Sequence, residues 1–353
     1  MAPAPPFPLL SLPDAEILRT VRVMNLRQIL RFSFVSQKCK DLVKSIQIKG
    51  TSIHVSIGNE IKISIGTASW QLSLYYYTEP DKYWGMGAYG RKKKLTTPQS
   101  VLIDVETAED LMAPPSKWKK RDCTMKNWLQ HLQQIFNYHK TNGICFNENS
   151  SEFDIDDIKE LFGNITKVTI ENTGCLAFNQ SILQKFFAVE DLTIMAENFQ
   201  NSKIPSSVLM QNHSTLYIAR SDMDVTKITL DELLRINSKV ITVESLQMSP
   251  KQLNQFIKLW QRGSNPRMER LWIQYENANE DDKEIVMRGI KHDVVPDNRR
   301  RMFKSVGMTD PYPVTYGIDI HRMDGVKATI QFDYEETFSI VEMFVWMDHC
   351  VVE

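Results

Sequence analysis

The chain has 353 residues, 42 Lys and Arg against 43 Asp and Glu, and 42% hydrophobic residues, enough to fill an ordinary globular interior in about two domains. This composition excludes a disordered or fibrous chain, and a net charge of −1 excludes coating of a polyanion by overall charge. No run approaches the roughly 20 apolar residues of a bilayer span, and the Pro-rich start lacks the charged and apolar regions of a signal peptide. A cytoplasmic or nuclear location is therefore expected.

Residues 1–6 read as a flexible tail, and three amphipathic helical patterns follow. Pro13 and Asp14 open the first, with Ile17, Leu18, Val21 and Met24 on one stripe. The second runs from Leu26 through Ile29 and Leu30 to Phe34. After Ser36, an expected N-cap, the third places Cys39, Leu42, Val43 and Ile46 at i, i+3, i+4 and i+7. Such a unit is near the lower limit for folding alone, and Phe32 and Val35 exceed what one stripe per helix explains. The span 7–46, with its Leu12-Pro13 opening, its L-x-x-I-L-x-F-S-x-V-S run and a basic third helix, resembles an F-box, set here at 7–48. The resemblance implies docking on a Skp-type adaptor that leads to cullin and RING subunits of a ubiquitin ligase. It also implies that Leu12, Pro13, Ile17, Leu18, Val21, Leu26, Leu30, Phe32, Val35 and Cys39 form or support the adaptor face. Asn25 stands where an acidic residue is common in that family, which predicts a weakened cap.

Residues 51–125 form a β-rich connecting region, in which HVSIG, IKISIG and QLSLYYY alternate and Gly58 and Gly66 mark turns. The run at 85–90 spells G-x-G-x-x-G, but no helix start follows it, so a dinucleotide site is not expected.

From residue 140 a β-type triplet recurs, centred at 145, 169, 193 and 217, with looser copies at 242 and 272. Helical stretches lie between, at 155–162, 181–187, 230–236 and 250–260. Strand and helix alternating at a fixed period predict a leucine-rich-repeat-like αβ solenoid with parallel strands, within a mixed α/β chain. If Val168, Ile170, Leu192, Ile194, Leu216, Ile218, Leu271 and Ile273 face inward, then Thr169, Glu171, Thr193, Met195, Tyr217, Thr242, Glu244, Trp272 and Gln274 form the outward, substrate-binding row. The segment 236–273, above all L-N-x-F-I-K-x-W-x-x-G-S-N-P from 253 to 266, is similar to the type 2 F-box-associated domain of a large nematode-type family. That likeness implies substrate recruitment by a domain placed at 126–295. At 296–353, two short strands joined through Asp324-Gly325 predict a β-hairpin cap.

No chemistry-bearing constellation stands out. The seven histidines are scattered, no G-x-S-x-G elbow occurs, and five cysteines without a C-x-x-C pair argue against a disulfide framework or a cysteine zinc site. Asp154, Asp156 and Asp157 suit the positive end of the following helix. Basic runs at 117–121 and 299–301 read as solvated faces. No catalytic residue, metal or cofactor is expected, and membrane and nucleic-acid partners are not. The expected activity is that of a substrate-recognition subunit of an Skp-cullin-F-box ubiquitin ligase. The alternative is a repeat-built protein-binding module acting outside a ubiquitin ligase.

Overall fold

The computed structural model describes residues 9–67, 70–77, 92–95, 100–107, 116–118, 123–220, 228–276, 282–296, 299–335 and 338–352. The tail at 1–6, the glycine run at 85–90 and most of the basic run at 117–121 lie outside these residues. The chain divides into two compact units, residues 1–165 and 166–353, a boundary inside the span 126–295 set from the sequence.

The first unit opens with three helices, α1 (Asp14–Arg22), α2 (Leu26–Ser33) and α3 (Gln37–Ser45). Ser36 caps α3 by accepting the Cys39 N–H at 3.2 Å. Asn25 is a better cap than its departure from the F-box pattern suggested. Its side chain accepts the Gln28 N–H at 2.9 Å, and Gln28 Oε1 accepts the Asn25 N–H at 3.0 Å, a reciprocal box that satisfies two otherwise orphaned donors.

An antiparallel meander follows: β1 (Ser52–Ile57), β2 (Ile61–Gly66), β3 (Trp70–Tyr77), β4 (Ser100–Thr107) and β5 (Ser116–Trp118). Then come α4 (Met125–Ile135), β6 (Gly143–Phe146), which pairs parallel with β1, and α5 (Ile155–Phe162). Asp154 caps α5 through the Asp156 N–H at 2.9 Å, the helix-end role expected for this acidic run. The three helices share an interior with the rest of the unit. Phe34 stacks on His131 at 3.7 Å and lies 4.6 Å from Trp128, while Ser33 Oγ meets His131 Nε2 at 2.7 Å.

The second unit begins with five parallel strands and their crossover helices: β7 (Lys167–Ile170), α6 (Leu176–Lys185), β8 (Asp191–Met195), α7 (Ser206–Leu209), β9 (Thr215–Ala219), α8 (Leu230–Arg235), β10 (Val240–Val243), α9 (Pro250–Gln261) and β11 (Arg270–Glu276). Register pairs Val168 with Leu192, Leu192 with Leu216, Leu216 with Ile241 and Ile241 with Leu271, so the recurring triplets lie side by side. Helix α6 starts five residues before the stretch expected at 181, because Thr173 and Gly174, at φ +71°, turn the chain directly into it.

The remainder is α10 (Asp282–Met287), β12 (Asp293–Val294), β13 (Arg301–Phe303), β14 (Tyr312–Val314), β15 (Ile318–His321), β16 (Lys327–Tyr334), β17 (Phe338–Val345) and β18 (Val351–Val352). The hairpin expected across Asp324-Gly325 is present as β15 and β16, but it extends the sheet. Strand β17 pairs antiparallel with both β16 and β11, and the order within the unit is β12-β15-β16-β17-β11-β10-β9-β8-β7. Gly317, at φ +128°, admits no side chain here, since a Cβ would meet Ile330 O at 2.7 Å. Strands β14, β13 and β18 form a separate small sheet, whose interior of Phe303, Val314 and Cys350 closes on Phe344 of β17.

Strand alternation is as the sequence predicts: Val168, Ile170, Leu192, Ile194, Leu216, Ile218, Leu271 and Ile273 are buried. Thr169, Thr193, Tyr217, Thr242 and Trp272 are half-buried on the opposite face. Ile194→Ala is expected to destabilise the protein by about 2–5 kcal/mol through the cavity it leaves, and Thr193→Ala by much less. Thermal melting of the two variants checks the strand phase.

Candidate functional site

The ten residues expected at the adaptor face divide by burial. Ile17, Val21, Leu30 and Cys39 are fully buried and Phe32 nearly so, which makes them the interior of the three-helix unit. Leu12, Leu18 and Leu26 are half-buried, and Pro13 and Val35 are exposed. Val35 is 64% exposed, joined by Val23 at 84% and Leu10 at 43%. Val23 was missed from the sequence because it lies just past the end of α1, off the apolar stripe of that helix. Phe34, on the other side, is committed to the unit's own interior.

The outward row of the second unit carries a polar network. Tyr217 donates to Glu244, whose other carboxylate oxygen accepts the Arg220 N–H at 2.9 Å. Burial and that carboxylate push the Tyr217 hydroxyl well above its usual range. Thr193 and Thr242 flank Tyr217 on the neighbouring strands, and Thr242 in turn pairs with Trp272. Trp272 is register partner to Glu342, which binds Arg270. Burial raises the Glu342 carboxyl despite that cation. Met195 and Gln274 are half-buried and Glu171 is exposed. Thr169, Thr193, Tyr217, Thr242 and Trp272 therefore form one row across five strands, and Glu244 joins it through Tyr217.

The motif from 253 to 266 is structural. Leu253, Phe256, Ile257 and Trp260 are buried. Asn254 donates to the carbonyls of Val286 and Arg288 at 2.6 and 2.9 Å, and Asn265 to those of Leu233 and Ile236 at 3.2 and 2.8 Å. Gly263 sits at φ +106° and Asn265 at φ +48°, conformations that suit these two residue types. A similar service is performed by Asn198, which receives the Met195 N–H at 2.7 Å and donates to Glu171 O at 2.8 Å, tying the ends of β7 and β8.

Two ion clusters pin the C-terminal strands. Asp319 receives Arg301 through both oxygens at 3.1 and 2.9 Å and the Thr329 hydroxyl at 2.6 Å. Burial alone would raise its carboxyl, but these donors hold it below the usual range. Glu269, 1% exposed, accepts Lys239 at 3.0 Å on Oε1 and the Val306 N–H at 2.9 Å on Oε2, and its Oε1 meets His349 Nε2 at 2.9 Å. These partners outweigh its burial and lower it. The neighbouring Cys350 thiol is pushed up to about 12 by burial and by Glu269.

On the helix side, Leu183, Phe186, Phe187, Val189 and Val208 line an open apolar groove of about 450 Å³ against β7 and β8.

Residues 204–273 match the family model described as F-box associated. That span runs from just before α7 to β11 and contains Tyr217, Lys239, Glu244, Glu269 and Trp272. That stretch is similar to the F-box-associated family. Along nearly its whole length it also resembles a Caenorhabditis elegans protein, F-box associated domain-containing protein sdz-33, with 21% identity over 349 residues, 93% of this chain and 94% of the relative. No solved structure gives a significant match. The matched segment holds both the Tyr217–Glu244 pair and the asparagine-bearing motif, so surface network and scaffold come from one stretch of chain.

Replacing Asp319 with Asn is expected to cost about 3 kcal/mol at neutral pH, the loss typical of breaking a buried pair. Because the folded carboxyl lies below its usual 3.8, the ion pair's contribution is complete above that value and disappears as pH falls through the lower folded value. Urea unfolding of wild type and Asp319→Asn at pH 7 and near pH 3 (about the start of that window) should show the gap narrowing in acid.

Proposed function

We propose that the chain is a non-catalytic substrate receptor of an Skp-cullin-F-box ubiquitin ligase, acting in the cytoplasm or nucleus. In this reading the three N-terminal helices bind a Skp-type adaptor and, through it, cullin and RING subunits. The second unit binds a protein target. The observation that carries the proposal is the order of two independent features: a Leu12-Pro13 three-helix unit with exposed apolar side chains at Leu10, Val23 and Val35, followed at 204–273 by a match to the F-box-associated family. The parallel units stepping from Val168 to Leu271 fit a leucine-rich-repeat-like solenoid, an architecture whose sheet faces serve as extended binding surfaces.

Such a receptor needs no bond chemistry of its own. It raises the local concentration of target lysines near a separately bound ubiquitin-charged enzyme, which turns a bimolecular encounter into a tethered one. Leu10, Val23 and Val35 supply apolar area for the adaptor. Tyr217 and Trp272 are the large, stiff side chains suited to anchoring a target on the outward row.

Val35→Asp and Leu12→Asp are each expected to weaken binding to purified Skp-type adaptor by about 30-fold or more, as for a central interface residue. Val35→Asp should leave the melting temperature unchanged, since the side chain is 64% exposed. Pull-down by the adaptor tests this, and undiminished binding by both variants rejects the F-box assignment. For the second unit, the Tyr217→Ala, Trp272→Ala double variant should lose specific partners in proximity labelling while still binding adaptor. An unchanged partner set overturns the placement of the target surface.

A further inference from the structure

Sequence spacing offers no metal motif, yet the fold brings together three ligand-type side chains from segments 80 residues apart. A carboxylate oxygen of Glu269, a ring nitrogen of His349 and the sulfur of Cys350 all lie within 4.8 Å of one another. We propose that Glu269, His349 and Cys350 form a zinc site that staples the C-terminal strand β18 to the start of β11.

The donor set favours zinc. Thiolate, imidazole and carboxylate are the ligands Zn²⁺ takes in tetrahedral sites, whereas Mg²⁺ and Ca²⁺ require oxygen donors throughout. Around a tetrahedral zinc, donor atoms stand about 3.3–3.8 Å apart, given metal–ligand bonds of about 2.0–2.3 Å. The widest spacing, up to 4.8 Å, needs a contraction of about an ångström, while the 2.9 Å Glu269–His349 contact opens by a few tenths of an ångström, and the exposed ring of His349 can make both adjustments.

Two of the ligands are already placed by the fold. Glu269 is held by the Val306 N–H on Oε2, leaving Oε1 for the metal, and Cys350 is fully buried in the small-sheet interior. His349, with a side chain 61% exposed, opens the site to solvent and leaves the fourth position for water.

The charges balance as follows. Zn²⁺ enters, the Cys350 thiol gives its proton to water, the proton on the ligating nitrogen of the neutral His349 ring passes through water to the other ring nitrogen, and the Lys239 ammonium leaves Oε1. The result is a neutral centre of one dication, one carboxylate and one thiolate. Lys239 can swing out, since its side chain is 34% exposed. Its ammonium lies 3.0 Å from the same Oε1, which makes it a competitor rather than a ligand. Because the donors come from two distant segments, metal binding would add directly to the stability of this corner.

The test uses the full chain, stripped with chelator and kept reduced, titrated with zinc against a chromophoric chelator and separately with cobalt(II). The expected result is one equivalent bound, with a sulfur-to-cobalt charge-transfer band in the near ultraviolet. That band should vanish in Cys350→Ser. His349→Ala, which removes only an exposed ring, should weaken zinc at least about 10-fold, the minimum loss seen when even a supporting residue of a metal site is removed. Lys239→Met should bind zinc more tightly than wild type, a gain that a purely structural ion cluster does not predict. Absence of stoichiometric binding, a sulfur band that survives Cys350→Ser, or zinc affinity unchanged in His349→Ala overturns the site. Should Cys350→Ser fail to fold, the His349 and Lys239 variants decide it alone. Adaptor binding enters none of these measurements, so the zinc site and the proposed ligase role stand or fall separately.

Discussion

Parallel strands of four or five residues cannot be joined by tight turns. Each must send the chain back over one face of the sheet before the next strand can pair. In residues 166–353 that requirement sets nearly everything else. The returning segments supply helices that bury Val168, Ile170, Leu192, Ile194, Leu216 and Ile218, and the cost of ordering each short strand is met by that burial. The same rule leaves the other face without crossovers, so its side chains are free to be polar or aromatic. Tyr217, Glu244 and Trp272 occupy a surface that the connectivity opens.

Much of this was legible in the sequence because it is periodic. The triplets showed their spacing and the apolar positions showed their phase, so the inward and outward rows follow from alternation alone. Helices α5, α8 and α9 were legible for the same reason, and each begins with a capping side chain in place. The start of α6 was not. Neither Thr173 nor Gly174 belongs to an apolar stripe, and only the backbone turn at Gly174 reveals why the helix begins there.

Contacts between distant segments stayed hidden, as a single chain carries no signal of pairing. Strand β17 reads as an apolar run, but nothing in it names β11 as a partner. Met343 and Phe344 take opposite faces, one toward the helices and one under the small sheet. The cluster at Glu269 is invisible for a similar reason, since an acid before a strand and a His-Cys pair near the end of the chain become related only when β18 returns to β13. The burial of the residues proposed for the adaptor face was half legible. Periodicity identified the apolar residues of the three helices but could not separate those that fill the interior from those that reach water.

The stacking of Phe34 on His131, with Trp128 beside it, bears on how the N-terminal helices would serve as a handle for the proposed adaptor. Three short helices at the start of a chain are readily pictured as a bead that can be cut from its string. Here the bead has no complete interior: residues 7–48 taken by themselves would bring Phe34 and Ser33 into water and leave Trp128, now fully buried, with an open flank. The three helices and the meander with α4 thus make one mechanical piece. Whatever grips the exposed Val23 or Val35 side chain therefore bears on α4 and the meander as well.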